Sequence, residues 1–355
     1  MAKPERIAIA MSGGVDSSTA AALLVEQGRD VFGIMMRLWS DITGTPNRCC
    51  SPHDMAQARR IASQLDIPFY ALDVQDTFKR HVVDFFIEGY MDGITPNPCM
   101  ECNRQIRWTT LLNHAVAMGA THLATGHYAR IGIDNGTLLL QRARDRDKDQ
   151  SYVLSVLTQD QLGRAMFPLG DSTKAEVRDH ARRLRLPVAD RKESQDLCFV
   201  GPQGYRSFLA RHASRAGTPG QIVDLTGQVV GEHTGLADYT IGQRKGIGVS
   251  GPAPMFVVAK DVRHNRLTVG PREALGKSEF SADRINWIDG HGPDEALKCS
   301  VRVRYKAREV EGRVIPQIEG RVRVILSESL PDVTPGQAAV FYDRETCLGG
   351  GTILP

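Results

Sequence analysis

The sequence predicts an α/β fold: a mainly parallel sheet flanked by helices over residues 1–200, then two small β-rich modules over 201–275 and 276–355. Three observations carry this. Short apolar runs alternate with helical spacing up to about Cys198, as in a parallel sheet with crossover helices. From Ile222 onward the chain becomes rich in Gly, Val and Thr and loses its helical stretches. A Gly- and Ser-rich loop follows the first apolar run directly and opens the first helix.

Taken in order, Arg6–Met11 (RIAIAM) reads as a buried strand, and Ser17–Gln27 as a helix that stops at Gly28. Asp30–Met36 is the second strand, Met55–Leu65 a helix and Phe69–Val74 the third strand. Thr77–Tyr90 carries helical spacing, Ile106–Met118 is a helix ended by Gly119, and His122–Thr125 is a short strand. Cys299–Tyr305 (CSVRVRY) and Arg321–Leu326 (RVRVIL) alternate apolar and basic residues, as half-buried strands do. The two β-rich modules divide near Gly270–Phe280.

Of 355 residues, 41% are hydrophobic and 24% charged, the balance of a globular protein with two or three domains. A net charge of +3 permits a basic face without identifying a nucleic-acid binder. No apolar run is long enough to span a membrane and the N-terminus lacks the pattern of a signal peptide, so the expected location is the cytoplasm. Seven cysteines, an odd number, argue for thiol or metal chemistry rather than a disulfide framework.

The strongest signal is Ser12-Gly13-Gly14-Val15-Asp16-Ser17-Ser18. Its glycines let the backbone approach a ligand, and the N–H groups of the helix it opens favour phosphate. The lysine of the GxxxxGK[ST] loop is missing, which disfavours kinase- or GTPase-type transfer. The plainer alternative is a tight turn with Asp16 and Ser17 capping the helix. SGGVDSS resembles the pyrophosphate loop (PP-loop) of the ATP-pyrophosphatase group, which splits ATP into AMP and pyrophosphate while adenylating a substrate oxygen.

Two cysteine segments bear on the chemistry. Asn97-Pro98-Cys99-Met100-Glu101-Cys102-Asn103-Arg104 precedes the helix expected near Ile106, and Ser194-Gln195-Asp196-Leu197-Cys198-Phe199-Val200 lies well downstream. A thiol near a helix N-terminus, with Arg104 and Arg107 at hand, would ionise readily, and two thiols that meet can carry a persulfide and resolve it as a disulfide. The alternatives are small buried residues, half of a zinc site, or an iron–sulfur cluster on Cys99, Cys102 and Cys198. Cys49, Cys50, Cys299 and Cys347 have no comparable arrangement and read as structural.

With the loop, these segments resemble the tRNA-specific 2-thiouridylases. The resemblance runs along nearly the whole chain, through GIMMRLW, TPNPC..CN, ATGHYAR, KDQSYVL, SQDLCFV, GQRKGIG, VRVRY and CLGGG. It implies a PP-loop ATPase domain with a β-barrel at the C-terminus, and thiolation of the wobble uridine (34) of tRNA for Glu, Gln and Lys with ATP and Mg²⁺. Cys102 then resembles the nucleophile and Cys198 the persulfide carrier, loaded by a sulfur carrier or cysteine desulfurase system. Many members have Asp where this chain has Cys99, and a Cys there leaves open a [4Fe-4S] cluster as the sulfur-activating group. ATP would be held by Ala10, Met11, Ser12, Gly13, Gly14, Val15, Asp16 and Ser17, with Met36 and Gly126 around the adenine. The tRNA would meet Asn97, Pro98, Cys99, His127, Lys148, Asp149, Gln150, Arg304, Tyr305 and Gln337. Two rivals are an amide-forming PP-loop synthetase and a non-catalytic RNA-binding protein on a relic nucleotide fold.

Overall fold

The computed structural model describes residues 5–41, 51–191, 197–213, 217–249, 253–331 and 333–355; Cys49, Cys50, Ser194, Gln195 and Asp196 lie outside the described residues. Strand β1 (Arg6–Ala10) runs into helix α1 (Val15–Glu26), then β2 (Asp30–Arg37), α2 (Pro52–Gln64) and β3 (Phe69–Asp73). Ile7, Ala8 and Ile9 of β1 are fully buried, as a strand covered on both faces must be. Small residues Ala20, Ala21 and Ala22 let α1 pack closely between the sheet and its neighbours.

The chain continues through α3 (Gln75–Phe78), a π-helical stretch (Lys79–Asp84) and α4 (Phe85–Met91). Next come α5 (Pro98–Glu101), a second π-helical stretch (Cys102–Leu111), α6 (Leu112–Ala117) and β4 (His122–Ala124). The helix expected near Ile106 therefore begins at Pro98, because Asn97 caps it and Pro98 pre-sets the first helical φ. The thiols expected to precede that helix lie inside it.

A further departure follows β4. Residues Ala129–Asp134 (β5) and Thr137–Arg142 (β6) form a hairpin, but it does not join the parallel sheet. The sheet is completed after α7 (Ser151–Leu154) and α8 (Gln159–Leu162) by β7 (Ala165–Met166), in the order β3-β2-β1-β4-β7, all parallel. Helix α9 (Lys174–Arg183) packs on α1, and α10 (Gly204–His212) leads into the central module.

That module is a four-stranded sheet of β8 (Gly220–Val223), β9 (Val229–His233), β10 (Phe256–Asp261) and β11 (Arg266–Gly270), ordered β10-β11-β8-β9. The last module contains β12 (Lys277–Trp287), β13 (Leu297–Arg302), β14 (Val310–Pro316), β15 (Val322–Leu330), β16 (Ala338–Asp343) and β17 (Thr346–Ile353). These close into a barrel because β17 pairs with both β16 and β12. Its interior is filled by alternate residues, among them Cys299, Val301, Val314, Val324 and Phe341. The start of β17 also pairs with β6, so the hairpin from the first domain extends the barrel sheet.

The central module is pinned to the first domain by Lys260 of β10. Its ammonium donates to the Tyr239 carbonyl at 2.9 Å and lies 5.6 Å from the centre of the Tyr90 ring on α4. Burial lowers its pKa from an ordinary 10.5 to about 8. Between those values the unfolded chain binds more protons than the folded one, so this group makes stability rise with pH across that window. Wild type should gain on the order of 1–3 kcal/mol relative to Lys260→Met between pH 8 and 10, read as urea midpoints at each pH.

Candidate active site

The strand order reverses between β1 and β4, and the crevice at their C-terminal ends is where an open α/β sheet binds ligands. The loop after β1 fills one side of it. Gly14 caps α1 in an extended conformation and no side chain accepts from the helix start, which removes the reading of Asp16 and Ser17 as caps. Ser17 Oγ instead accepts from the Ser12 amide at 3.1 Å and Ser18 Oγ donates to the Gly14 carbonyl at 2.7 Å, bonds that hold the loop's shape. Ser12 itself is exposed at the mouth.

Two backbone contacts explain the glycines. A Cβ on Gly13 (φ +69) would stand 2.7 Å from the Asp54 carbonyl oxygen, and one on Gly126 would stand 2.7 Å from the Ser17 nitrogen. Gly126, just past β4, thus lies directly against the first turn of α1. Met36, near the end of β2, is half-buried and packs against the apolar clusters on both sides of it. Ala10 and Met11 lead from β1 into the loop, with Met11 and Val15 buried beneath it.

Three neighbours of the loop were not read from the sequence. Lys174, the first residue of α9, places its ammonium 2.7 and 2.8 Å from the two carboxylate oxygens of Asp16, whose Oδ1 also accepts from Tyr128 Oη at 2.8 Å. Arg191 donates to the Gly13 carbonyl at 2.8 Å and pairs with the buried Asp54. The capping box Thr173–Glu176 marks the start of α9, yet no local pattern tells where that start lands. A cation therefore stands at the phosphate loop, supplied from a distant helix.

The thiol segment begins at Asn97, whose Oδ1 accepts from the Met100 amide at 3.3 Å. Pro98 is buried and Cys99 exposed; Cys102, 9% exposed, opens the π-helical stretch. Cys102 and the half-buried Cys198 belong to one apolar cluster with Phe78, Phe86, Ile106 and Phe199. The structure so brings the two sequence-distant thiols to a common cluster, with Met36 packed against its edge. Two arginines were expected to favour their ionisation. Arg104 donates to Glu101 at 2.6 Å, and Arg107 to His127 Nε2 at 3.1 Å. Among the described residues no three His, Cys, Asp or Glu side chains converge as metal ligands do, so Cys99, Cys102 and Cys198 are not gathered as a cluster site. Cys299 is buried in the barrel core and Cys347 between β17 and the first domain, both with thiols pushed up to about 12 by burial, in keeping with structural roles.

The RNA candidates divide by burial. Lys148, Arg304 and Tyr305 are half-buried at the surface, the last two in the turn after β13 and not on the strand itself, which ends at Arg302. Asp149 is 4% exposed, and its carboxylate accepts from the Ala143 amide at 2.9 Å and the Ser151 hydroxyl at 2.8 Å. Gln150 is paired with the Tyr128 backbone through both its side chain and its amide. Gln337 is buried and donates to the Thr95 carbonyl at 2.8 Å. His127 is buried between Thr125 and Arg107, and burial and the Arg107 charge hold its pKa well below 6.5, so it is a neutral imidazole. The side chains of Asp149, Gln337 and His127 are thus buried and hydrogen-bonded.

Because the obstacle at Gly126 is backbone, Gly126→Ala should cost about 1–3 kcal/mol, seen as a lower melting temperature.

Three family models match in series. A tRNA methyl transferase HUP domain covers residues 5–202, a tRNA methyl transferase PRC-barrel domain 206–271, and an aminomethyltransferase beta-barrel domain 277–353. The chain is 48% identical over 350 residues to the tRNA-specific 2-thiouridylase MnmA of Chloroflexus aggregans, covering 98% of each chain. It is 44% identical over 358 residues to that of Magnetococcus marinus, covering 100% of each, and 47% identical over 351 residues to that of Moorella thermoacetica, covering 97% of this chain and 98% of that one. With matches of this extent in all three domains, the chain belongs to the family of tRNA-specific 2-thiouridylases.

Proposed function

We propose that the protein converts the wobble uridine (34) of tRNA for Glu, Gln and Lys to 2-thiouridine, using ATP to activate the C2 oxygen and a cysteine persulfide to supply sulfur. The observation that carries this reading is that Cys102 and Cys198 share one apolar cluster, against which Met36 at the C-terminal end of β2 also packs. An amide-forming synthetase would have no use for that pair.

The uridine must leave its stack to reach the crevice, at a cost of a few kcal/mol. Its C2 oxygen attacks the α-phosphorus, the bond to the pyrophosphate breaks, and the leaving group rests on the loop amides and Lys174. Mg²⁺ brought with ATP would spread the charge on that leaving group, and Asp16 is the loop carboxylate that would hold it, in exchange for the Lys174 ammonium now on both its oxygens. Cys198 carries the persulfide. Its outer sulfur forms the bond to C2 as AMP departs, and Cys102 sulfur attacks the inner sulfur of Cys198. The S–S bond breaks with its electron pair on the transferred sulfur, which becomes the C2 thiocarbonyl. Cys102 and Cys198 are left as a disulfide, and a thiol reductant returns both to thiols. A persulfide carrier or cysteine desulfurase system reloads Cys198.

Lys148, Arg304 and Tyr305 offer two cations and an aromatic face suited to phosphate and base contacts. Cys99 and Asn97 sit beside the nucleophile and would line the target base. None of the described helices is long and apolar enough to cross a membrane.

The deciding assay is purified protein with ATP, Mg²⁺, unmodified tRNA and a persulfide donor, read by nucleoside mass. Cys102→Ser and Cys198→Ser should each lower 2-thiouridine formation by about 10³-fold or more while tRNA-dependent pyrophosphate release continues. Unimpaired thiolation in both would remove the persulfide mechanism, and a visible iron–sulfur band in active anaerobic protein would replace it with the cluster alternative. Lys174→Met should instead cut pyrophosphate release by about 10²-fold, and thiolation with it.

A further inference from the structure

The barrel holds the start of the thiol helix at two points. Before α5, the Thr95 amide donates to the Pro335 carbonyl at 2.9 Å and Gln337 donates to the Thr95 carbonyl. Within its first turn, Glu101 Oε1 accepts from Arg284 of β12 at 2.8 Å, and the same oxygen accepts from Arg104. The Glu101 side chain is only 8% exposed, and Cys102 is the next residue.

Arg284 is built for this contact in a way ordinary strand residues are not. Its φ is +50, a left-handed conformation disfavoured for a residue with a side chain. It falls where the pairing of β12 with β17 shifts register between Asp283 and Asn286. Irregularities of this kind re-aim a side chain out of the regular pleat, and strained residues persist where the surroundings dictate them. The guanidinium thereby crosses from the barrel to α4 and α5, passing 6.0 Å from the Phe85 ring centre before meeting Glu101.

We propose that Arg284 is a positioning residue for Cys102: the bulge in β12 aims its guanidinium at Glu101 and so lets the barrel fix the backbone that carries the nucleophile. This rests on the reading of Cys102 as the thiol that releases sulfur. The ion pair then governs sulfur transfer and leaves adenylation, which occurs on the loop of the first domain, untouched.

The test compares wild type, Arg284→Gln, Arg284→Lys and Cys102→Ser in single turnovers on unmodified tRNA. Four quantities are measured: 2-thiouridine formed, pyrophosphate released, tRNA affinity, and the alkylation rate of Cys102 by iodoacetamide. Arg284→Gln should slow 2-thiouridine formation by about 10- to 100-fold, the scale of a small misplacement of a reacting group, with pyrophosphate release and tRNA affinity kept within about twofold. Cys102 should alkylate faster as its helix end loosens, and Arg284→Lys should recover part of the rate. Wild-type thiolation in Arg284→Gln overturns the proposal. So does a parallel loss of tRNA affinity, which would make Arg284 an RNA contact, or a parallel loss of pyrophosphate release, which would make its role general. If Cys102→Ser itself thiolates at the wild-type rate, the nucleophile reading has failed, whatever Arg284 does.

Discussion

The crevice at the sheet's switch point depends on two close approaches of backbone to backbone. Gly126, leaving β4, lies against the Ser17 amide at the start of α1, and Gly13 lies against the Asp54 carbonyl at the start of α2. These contacts set the distance between the two strand ends that flank the switch point. A single added methyl at either place would push the walls of the crevice apart. The bonds among Ser12, Ser17, Ser18 and Gly14 then fix the loop, and Arg191, pairing with Asp54, ties Gly13 to the same frame. The helix N-terminus is left uncapped by any side chain, so its amides stay available to an anion.

The barrel is joined to this frame by a polar network as well as by β6. Arg142 makes paired bonds of 2.7 and 2.6 Å to Glu309 and stacks over the Tyr342 ring at 3.7 Å. Arg302 lies 3.8 Å from Asp149, and Ser151 links Asp149 to the Tyr342 hydroxyl at 3.1 Å. Buried pairs of this kind add little net stability but tolerate only one arrangement, because a partner moved away leaves a charge unsatisfied. The network thus sets the shape of the loop that ends in Lys148, Asp149 and Gln150 relative to the turn that bears Arg304 and Tyr305. Candidate RNA contacts from two domains share one rigid support.

What the sequence disclosed was local. The opening strand, the glycine loop and the helix after it are legible because each signal is complete within a few residues. Asn97-Pro98 carries the helix start, a cap and proline signal, while the apolar spacing that marks a helix becomes regular only near Ile106. Asn135-Gly136, with φ of +48 and +84, is a hairpin turn signal between two apolar stretches. It announces β5 and β6, but not that they serve the barrel rather than the neighbouring sheet. Lys174, Arg191 and Arg284 act through partners far away in the chain, so nothing near them in sequence marks their roles. Asp149 and Gln337 look like surface polar residues until the fold shows what covers them.

The hairpin shared with the barrel also has a consequence for how the chain is made. Arg142 bonds to the Arg344 carbonyl, 202 residues further on. At ordinary ribosomal speeds of about 5–20 residues per second, β6 waits on the order of 10–40 s for its partner. Throughout that interval its outer edge at Leu140 and Gln141 is an open template for any stray strand. When β17 emerges it seals the barrel against β12 and covers that edge in the same stroke, so one late strand ends the exposure of two domains at once.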